Sequence, residues 1–383
     1  MKLLYAHDHK LRYFENGFYT TGGFSDQVTN RYTSVFENMV LLCRAIKSDN
    51  IGGCSRIGNA NVDVCPLFCG KVLPTKANLR LIQTQVMAAD VVMVRLPSLL
   101  GLYTAFIAFA NKKKVCVEVV GSAWGSYWYK SFSGKIAALP LEVLNKCVIK
   151  NAAYVLYVTD DYLQKEYPTK GVSVGCSDVV LDVQEIDVLN RRLEKIKKWA
   201  ENSIVLGTLG QIDYKYKGHK TVLQVIAELK KLGVKVEYRL AGNGSRGYIE
   251  GLALKYGVLD NIKFYGQISH EEINQWIDEL DVYVQPSLTE GMPRSVIEAI
   301  YRATPTIVSD AGGMYELVES DSIFKAGSVE HLFEIIRKLS NKKMLSMAQR
   351  NYIFCEKFDC NKLSKKRESF YTRIKEEVKY GVV

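Results

Sequence analysis

The sequence predicts an α/β fold: two Rossmann-like domains, each built on a parallel sheet, facing an interdomain cleft. Three observations lead there. The chain has 383 residues, a length that favours two domains over one. Short runs of Val, Ile and Leu alternate with amphipathic stretches, as expected of parallel strands covered on both faces. The alternation breaks near residues 185–200 and then restarts, giving two successive βα arrays.

In the first array, residues 1–6 read as a strand and residues 25–37 as a helix after Gly22-Gly23. Residues 39–46 (MVLLCRAI) form the next strand, and a Cys- and Gly-rich irregular section follows. Residues 76–88 read as a helix, AADVVMVRLP as a buried strand, 98–111 as a helix and KVCVEVV as a strand. A helix near 135–150 leads into AAYVLYVTD. Residues 185–200 (EIDVLNRRLEKIKKWA) are strongly charged, with little core potential, and read as a linker helix. The second array runs SIVLGTLGQ, helix 218–232, VKVEYRLAGNG, helix YIEGLALKYGV, NIKFYGQI, helix HEEINQWIDEL, DVYVQPS, helix RSVIEAIYRA and TPTIVSDAGG. A basic amphipathic helix closes the chain. The expected domains are residues 1–182 (acceptor-binding), residues 183–362 (donor-binding, with 183–202 as linker helix), and a helix at 363–383 packing back on the first domain.

Composition narrows the class. Apolar residues make up 48% and charged residues 24%, which excludes a disordered or collagen-like chain. No apolar run reaches the ~18 residues of a membrane span. The apolar core of MKLLYAHDHK is too short for a signal peptide, so a cytoplasmic location is expected. Nine cysteines with no CxxC pair fit reduced thiols, and Cys65–Cys69 has no second pair to complete a zinc site. The net charge is +10, and residues 1–180 carry +7 of it. Such a surface suits phosphorylated ligands or an anionic membrane face; no nucleic-acid recognition motif accompanies it, so nucleic acid is not an expected partner.

Ligands of open parallel sheets bind at the carboxyl ends of the strands. This singles out the loops His7–Gly23, Gly121–Gly125, Gly210–Gly218, Ala241–Gly247, Pro286–Arg294 and Ser309–Glu316. In SLTEGMPRSVIEAI, Glu290 and Gly291 lie in the loop, and Pro293 suits a first helical position. Free N–H groups and the helix dipole make an anion site there, with Gly291 admitting a phosphate to the backbone. Glu298 lies in the second turn. A nucleotide ligand has a use for both acids: hydroxyls for the carboxylates, phosphate for the helix tip. The Gly loop AGNGS, the pair Gly312-Gly313 with Glu316, and Lys217-Gly218 follow the neighbouring strands; a lysine there balances phosphate charge.

Together these elements resemble the donor domain of family-4 retaining glycosyltransferases, the group 1 glycosyl transferases of two-domain GT-B architecture. The matching pieces are K-G at 217–218, A-G-N-G at 241–244, F-Y-G-Q-I at 264–268, E-G-M-P-R-S-V-I-E-A at 290–299 and T-P-T-I-V-S-D-A-G-G-M-Y-E-L-V at 304–318. They span residues 204–320; T-G-G at 21–23 is a looser match in the first half. The resemblance implies that Glu298 binds ribose hydroxyls, and that Glu290 with the N–H groups around Gly291, Met292 and Pro293 holds sugar and phosphate. It implies that Lys217, with Glu290 and Arg294, acts at the reacting diphosphate. Gly242, Asn243 and Gly244 and the base-pocket residues Tyr265, Gln267 and Ile268 contact the donor, and Gly22 and Gly23 approach the diphosphate. Gln211 stands where the family usually has Arg or Lys, and Lys215, Lys217 or Arg294 is expected to supply the missing cation.

The implied reaction is metal-independent, retaining transfer of a hexosyl group from a nucleotide-diphosphate sugar, with UDP the expected nucleotide and no further cofactor. The acceptor is a glycan or lipid-linked saccharide of bacterial-type surface polysaccharide assembly. His7, Trp124, Tyr127 and Trp128 are its candidate contacts; the aromatics equally suit core packing or a membrane interface. Attachment at the inner face of the plasma membrane accounts for both the aromatics and the basic charge. Two other readings stay open: a nucleotide-sugar epimerase of the same shape, and an inactive donor-binding subunit.

Overall fold

The computed structural model describes residues 1–21, 23–70, 72–129, 132–179, 181 and 187–381. The chain divides into two units, Met1–Ser177 with Leu363–Val383, and Asp178–Lys362.

Unit 1 contains β1 (Lys2–Phe14), β2 (Gly17–Thr20), α1 (Asp26–Thr33), β3 (Asn38–Lys47), β4 (Ser55–Arg56), β5 (Val62–Phe68), α2 (Lys76–Ala88), β6 (Val91–Leu96), α3 (Leu99–Ala110), β7 (Val115–Val119), α4 (Ala123–Trp128), α5 (Phe132–Asn151), β8 (Tyr154–Tyr157), α6 (Tyr162–Glu166) and β9 (Val172–Gly175). Its parallel strands run β5-β3-β1-β6-β7-β8-β9. Val91 to Val94 are 0–2% exposed, which is why this strand reads as an unbroken apolar run. Ser and Thr caps start the helices: Thr75 accepts from Asn78 N, Ser98 from Gly101 N and Ser122 from Gly125 N.

The expectation of a loop over His7–Gly23 and of a purely parallel sheet is corrected here. β1 runs past β6 to Phe14, paired with β3 as far as Tyr13, and turns back as an antiparallel hairpin with β2, which pairs antiparallel with β4. The turn residues Glu15 and Asn16 both have positive φ, 43° and 57°, the turn that matches strand twist. A register shift in the β1–β3 pairing falls between Ala6 and Lys10, so His7, Asp8 and His9 leave the ladder. β5 and β9 arise from segments that lack a continuous apolar run.

Unit 2 contains α7 (Val188–Lys197), β10 (Ser203–Leu209), α8 (His219–Lys231), β11 (Lys235–Ala241), α9 (Gly247–Tyr256), β12 (Ile262–Gly266), α10 (His270–Asp278), β13 (Val282–Gln285), α11 (Arg294–Tyr301), β14 (Thr306–Ser309), β15 (Ile323–Phe324), α12 (Val329–Arg337) and α13 (Asn341–Phe354). All pairings are parallel, in the order β12-β11-β10-β13-β14-β15. The core gathers Leu206, Val222, Ile226, Tyr238, Leu240, Val282, Val284, Ile307 and Phe324.

The sequence casts α7 as a linker; the structure makes it part of this core. Val188 and Ile196 are 2% exposed and Arg192 3%. The Arg192 guanidinium donates to Leu280 O at 2.6 Å, Ile277 O at 3.1 Å and Thr304 Oγ1 at 2.6 Å. Burial pulls its pKa down to about 10, with Asp278 and Asp281 opposing. A charge-rich sequence thus conceals one buried cation that sews the helix to carbonyls.

The last helix, α14 (Cys360–Lys379), belongs to unit 1 from Leu363 onward. Its Tyr371 donates to Glu118 on β7, a carboxylate 2% exposed that also accepts from Tyr5 at 2.6 Å, Tyr32 at 3.0 Å and Arg95 at 3.2 Å. Burial first, and then Glu118, hold the Tyr5 and Tyr371 hydroxyls well above their ordinary pKa. Among the described residues, no helix is long and apolar enough to cross a membrane.

Arg192→Ala orphans several buried acceptors at once and is expected to cost about 3–5 kcal/mol. Denaturant unfolding read by tryptophan fluorescence checks this; a loss under about 1 kcal/mol contradicts the assignment of α7 to the core of unit 2.

Candidate active site

The strand order of unit 2 reverses direction between β10 and β13, and the crevice outside the carboxyl ends of such a pair is where open α/β sheets bind ligands. Two loops leave from there: residues 210–218 after β10 and residues 286–293 after β13.

Their meeting point is Glu290. Its Oε1 accepts from Lys217 Nζ at 2.6 Å, Ser287 Oγ at 2.7 Å and Gln285 Nε2 at 3.3 Å. Lys217 ends a single 3-10 turn, Lys215–Lys217, and both side chains of the ion pair are mostly buried, at 16% and 13% exposure. Behind them Gln285, fully buried, accepts from Tyr283 Oη at 2.7 Å and Ser295 Oγ at 3.3 Å. The carboxylate is therefore held from β13, from the β10 loop and, through Gln285, from α11. Burial, then Glu290, pushes the neighbouring Tyr216 hydroxyl up to about 12.

Glycine makes this convergence possible at two places. Gly218 has φ +73°, and a Cβ there would lie 1.8 Å from Pro286 O. Gly312 has φ +65°, and a Cβ would lie 1.9 Å from Glu290 O. The loops of β10, β13 and β14 thus pack backbone to backbone, and Gly313 N donates to Gly291 O at 3.0 Å. The AGNG loop serves the same packing. A Cβ on Gly242 would meet Gly210 O at 1.9 Å and one on Gly244 would meet Asp213 Oδ1 at 2.5 Å, while Asn243 O accepts from Ile212 N at 2.9 Å.

Pro293 is the N-cap of α11 rather than its first helical residue, with ψ 118°; its ring fixes φ at −72°. The N–H groups of Gly291 and Met292 have no acceptor among the described residues. Glu298, 4% exposed, accepts from Arg294 Nε at 2.9 Å one turn earlier. Two of the three candidate cations, Lys217 and Arg294, are therefore matched to the two expected acids, and Lys215 lies over the Tyr248 ring at 5.4 Å. Gln211 lies next to the buried His219. Tyr265 stands edge-on to Trp276 under the Arg239 guanidinium, and the exposed Gln267 and half-buried Ile268 follow it.

In unit 1 the corresponding helix tip is already filled. The Asp8 carboxylate accepts from Leu99 N at 2.8 Å and Leu100 N at 2.9 Å, capping α3 with an internal anion. Gly23 packs on the His9 ring, 2.6 Å from a would-be Cβ to Cε1; Gly22 lies outside the described residues. His7 Nδ1 accepts from His9 N at 3.1 Å. Trp124 and Trp128 stack at 4.8 Å, and burial, then Asp8, raises Tyr127 to about 12. No group of three metal-ligating side chains occurs among the described residues.

Sequence reading missed Ser287, Gln285, Tyr283 and His219. The available signal was polarity at the end of an otherwise apolar strand, in VYVQPS. His219 Nδ1 meets Tyr238 Oη at 2.9 Å, and burial lowers its pKa to about 4; burial does the same to His9. Both are neutral when folded at pH 7 but protonate near 6.5 when unfolded, so stability is lost as pH falls from about 6.5 towards 4. Each contributes roughly 2–3 kcal/mol to that loss. In His219→Asn the stability of unit 2 should decline less over that window in denaturation series at fixed pH. An unchanged slope contradicts the burial of a neutral imidazole.

Comparison with known proteins gives the family and the fold. Residues 190–353 match the family model described as glycosyl transferases group 1. Protein CapJ of Staphylococcus aureus is 33% identical over 358 residues, covering 91% of this chain and 88% of that protein. Anabaena HepE in complex with UDP-glucose superposes with a TM-score of 0.64 at 15% identity, over 97% of this chain and 100% of that one. WaaG, a glycosyltransferase involved in lipopolysaccharide biosynthesis, gives 0.64 at 14% identity over the same shares. These likenesses show the fold, two α/β units of GT-B type. The chain belongs to the group 1 glycosyl transferases.

Proposed function

We propose that the protein transfers a sugar, with retention, from a nucleotide-diphosphate sugar to a glycan or lipid-linked saccharide in the assembly of a bacterial surface polysaccharide. The observation that carries this is the placement of Lys217, Glu290 and the start of α11 together at the switch point of unit 2. The UDP-glucose bound by HepE and the biosynthetic role of WaaG support the donor and the pathway class.

The chemistry follows from the groups present. The diphosphate binds at the N–H groups of Gly291 and Met292 and takes Lys217 as counter-ion. Glu290, released from the lysine but still held by Ser287 and Gln285, accepts hydroxyls of the sugar. Glu298 holds the ribose. The bond from the anomeric carbon to the diphosphate oxygen breaks, and its electron pair stays on the phosphate, where Lys217 stabilises it. The acceptor oxygen bonds to the anomeric carbon from the same face, and its proton passes to the leaving phosphate. No step requires a metal or a second cofactor. Unit 1, basic and carrying His7 and the Trp124–Trp128 pair, takes the acceptor at the inner face of the plasma membrane.

Three variants test the paired resting site. Glu298→Ala is expected to weaken UDP binding about 10-fold or more, and Lys217→Ala to lower turnover about 100-fold. Calorimetry and donor turnover measure them; wild-type values in both variants overturn the assignment. Glu290→Gln frees Lys217 from its internal partner. It should bind UDP about 3- to 10-fold more tightly than the wild type while losing about 100-fold in transfer. Weaker UDP binding in this variant contradicts the exchange of partners at Lys217.

A further inference from the structure

Glu290 presents its two carboxylate oxygens unequally. Lys217 Nζ, Ser287 Oγ and Gln285 Nε2 all donate to Oε1. Oε2 accepts no hydrogen bond among the described residues, and the side chain keeps 13% exposure. One oxygen is anchored and the other is left for a ligand.

The anchor is built along one face of β13. Val282 and Val284 point into the apolar core of unit 2, so strand alternation puts Tyr283 and Gln285 on the opposite face. Both are fully buried, as is Ser287 beyond them. Polar groups in such a place cost stability unless each is satisfied, so every hydrogen can be followed. Leu209 N, at the end of β10, donates to Tyr283 Oη at 3.2 Å. The hydroxyl gives its one hydrogen to Gln285 Oε1 at 2.7 Å rather than to Leu209 O at 3.4 Å. Ser295 Oγ, in the first turn of α11, donates to the same amide oxygen at 3.3 Å. With that oxygen committed, the Gln285 amide cannot flip, and its NH2 group faces Ser287 Oγ at 3.0 Å and Glu290 Oε1 at 3.3 Å. Ser287 passes its own hydrogen on to Glu290. The donors therefore run in one direction, from the end of β10 to a single carboxylate oxygen.

The loop backbone does not need this chain. It is held separately by Leu288 N on Tyr216 O at 2.7 Å, by Gly313 N on Gly291 O at 3.0 Å and by Ser309 Oγ on Ser287 O. What the side chains add is the rotation of one carboxyl group. We propose that Tyr283 and Gln285 are positioning residues for sugar transfer, which lock Glu290 through Oε1 so that Oε2 faces the hexose of the donor. This rests on the sugar-transfer reading. Neither residue bonds to Lys217 or to the N–H groups at the start of α11, so the diphosphate end of the donor is outside their reach.

The test uses the full chain. It follows nucleoside diphosphate release from UDP-glucose, UDP-galactose, UDP-N-acetylglucosamine and GDP-mannose with water as acceptor, and takes the fastest donor forward. Tyr283→Phe is expected to lower kcat about 10-fold and Gln285→Met about 30-fold. The free diphosphate carries no hexose, so its Kd in calorimetry should stay within about 2-fold of the wild-type value in both variants. That constancy also shows that the variants fold. Because Tyr283 acts through Gln285, the double variant should lose no more than Gln285→Met alone. The proposal is overturned if both variants turn over at the wild-type rate, if diphosphate affinity falls in parallel with turnover, or if the two losses multiply in the double variant. Each of these outcomes leaves the sugar-transfer reading standing. A wild type that releases no diphosphate from any of the four donors removes that reading, and this proposal with it.

Discussion

One carboxylate oxygen, Glu290 Oε1, ties together the parts of unit 2 that matter for chemistry. It takes three hydrogen bonds, from Lys217, Ser287 and Gln285, and each donor comes from a segment that the sheet delivers separately. Such a node is stable only if the loops approach closely, and glycine allows that where Gly218 meets Pro286 O and Gly312 meets Glu290 O. The charge balance of the site follows. A lysine and a glutamate that are mostly shielded from water neutralise one another.

The two units use the same architecture to opposite ends. In both, a central strand is followed across a switch point by a strand whose loop starts a helix. In unit 1 that helix tip is occupied by the Asp8 carboxylate; in unit 2 the Gly291 and Met292 N–H groups have no acceptor among the described residues. The tip of α3 thus carries its own anion, whereas the tip of α11 does not.

The order of strands and helices was legible wherever apolar runs were continuous, as in VVMVRL, VCVEV and VYVQ. The acids and glycines of the loops after β10, β13 and β14 were legible through their resemblance to the group 1 glycosyl transferases. The hairpin of β1 and β2 was not, since alternation over HKLRYF resembles a polar loop unless the E-N-G turn is weighed. β5 and β9 are half-exposed and lack the apolar run. α7 misled because Arg192 reads as surface charge, and only the tertiary structure shows the carbonyls that receive it. The packing done by the AGNG glycines, with positive φ and close contacts to Gly210 and Asp213, shows only in the folded loops. Gln285 and Ser287 carried one signal, polarity at the end of an apolar strand, which acquires a meaning only when the loops are folded together.

The most direct test of this account is the structure of the protein crystallised with UDP. The account predicts the distal phosphate on the Gly291 and Met292 N–H groups, the Lys217 ammonium moved from Glu290 to a phosphate oxygen, and the ribose on Glu298. UDP bound at another edge of the sheet, or bound here with the Lys217–Glu290 contact intact, would contradict it.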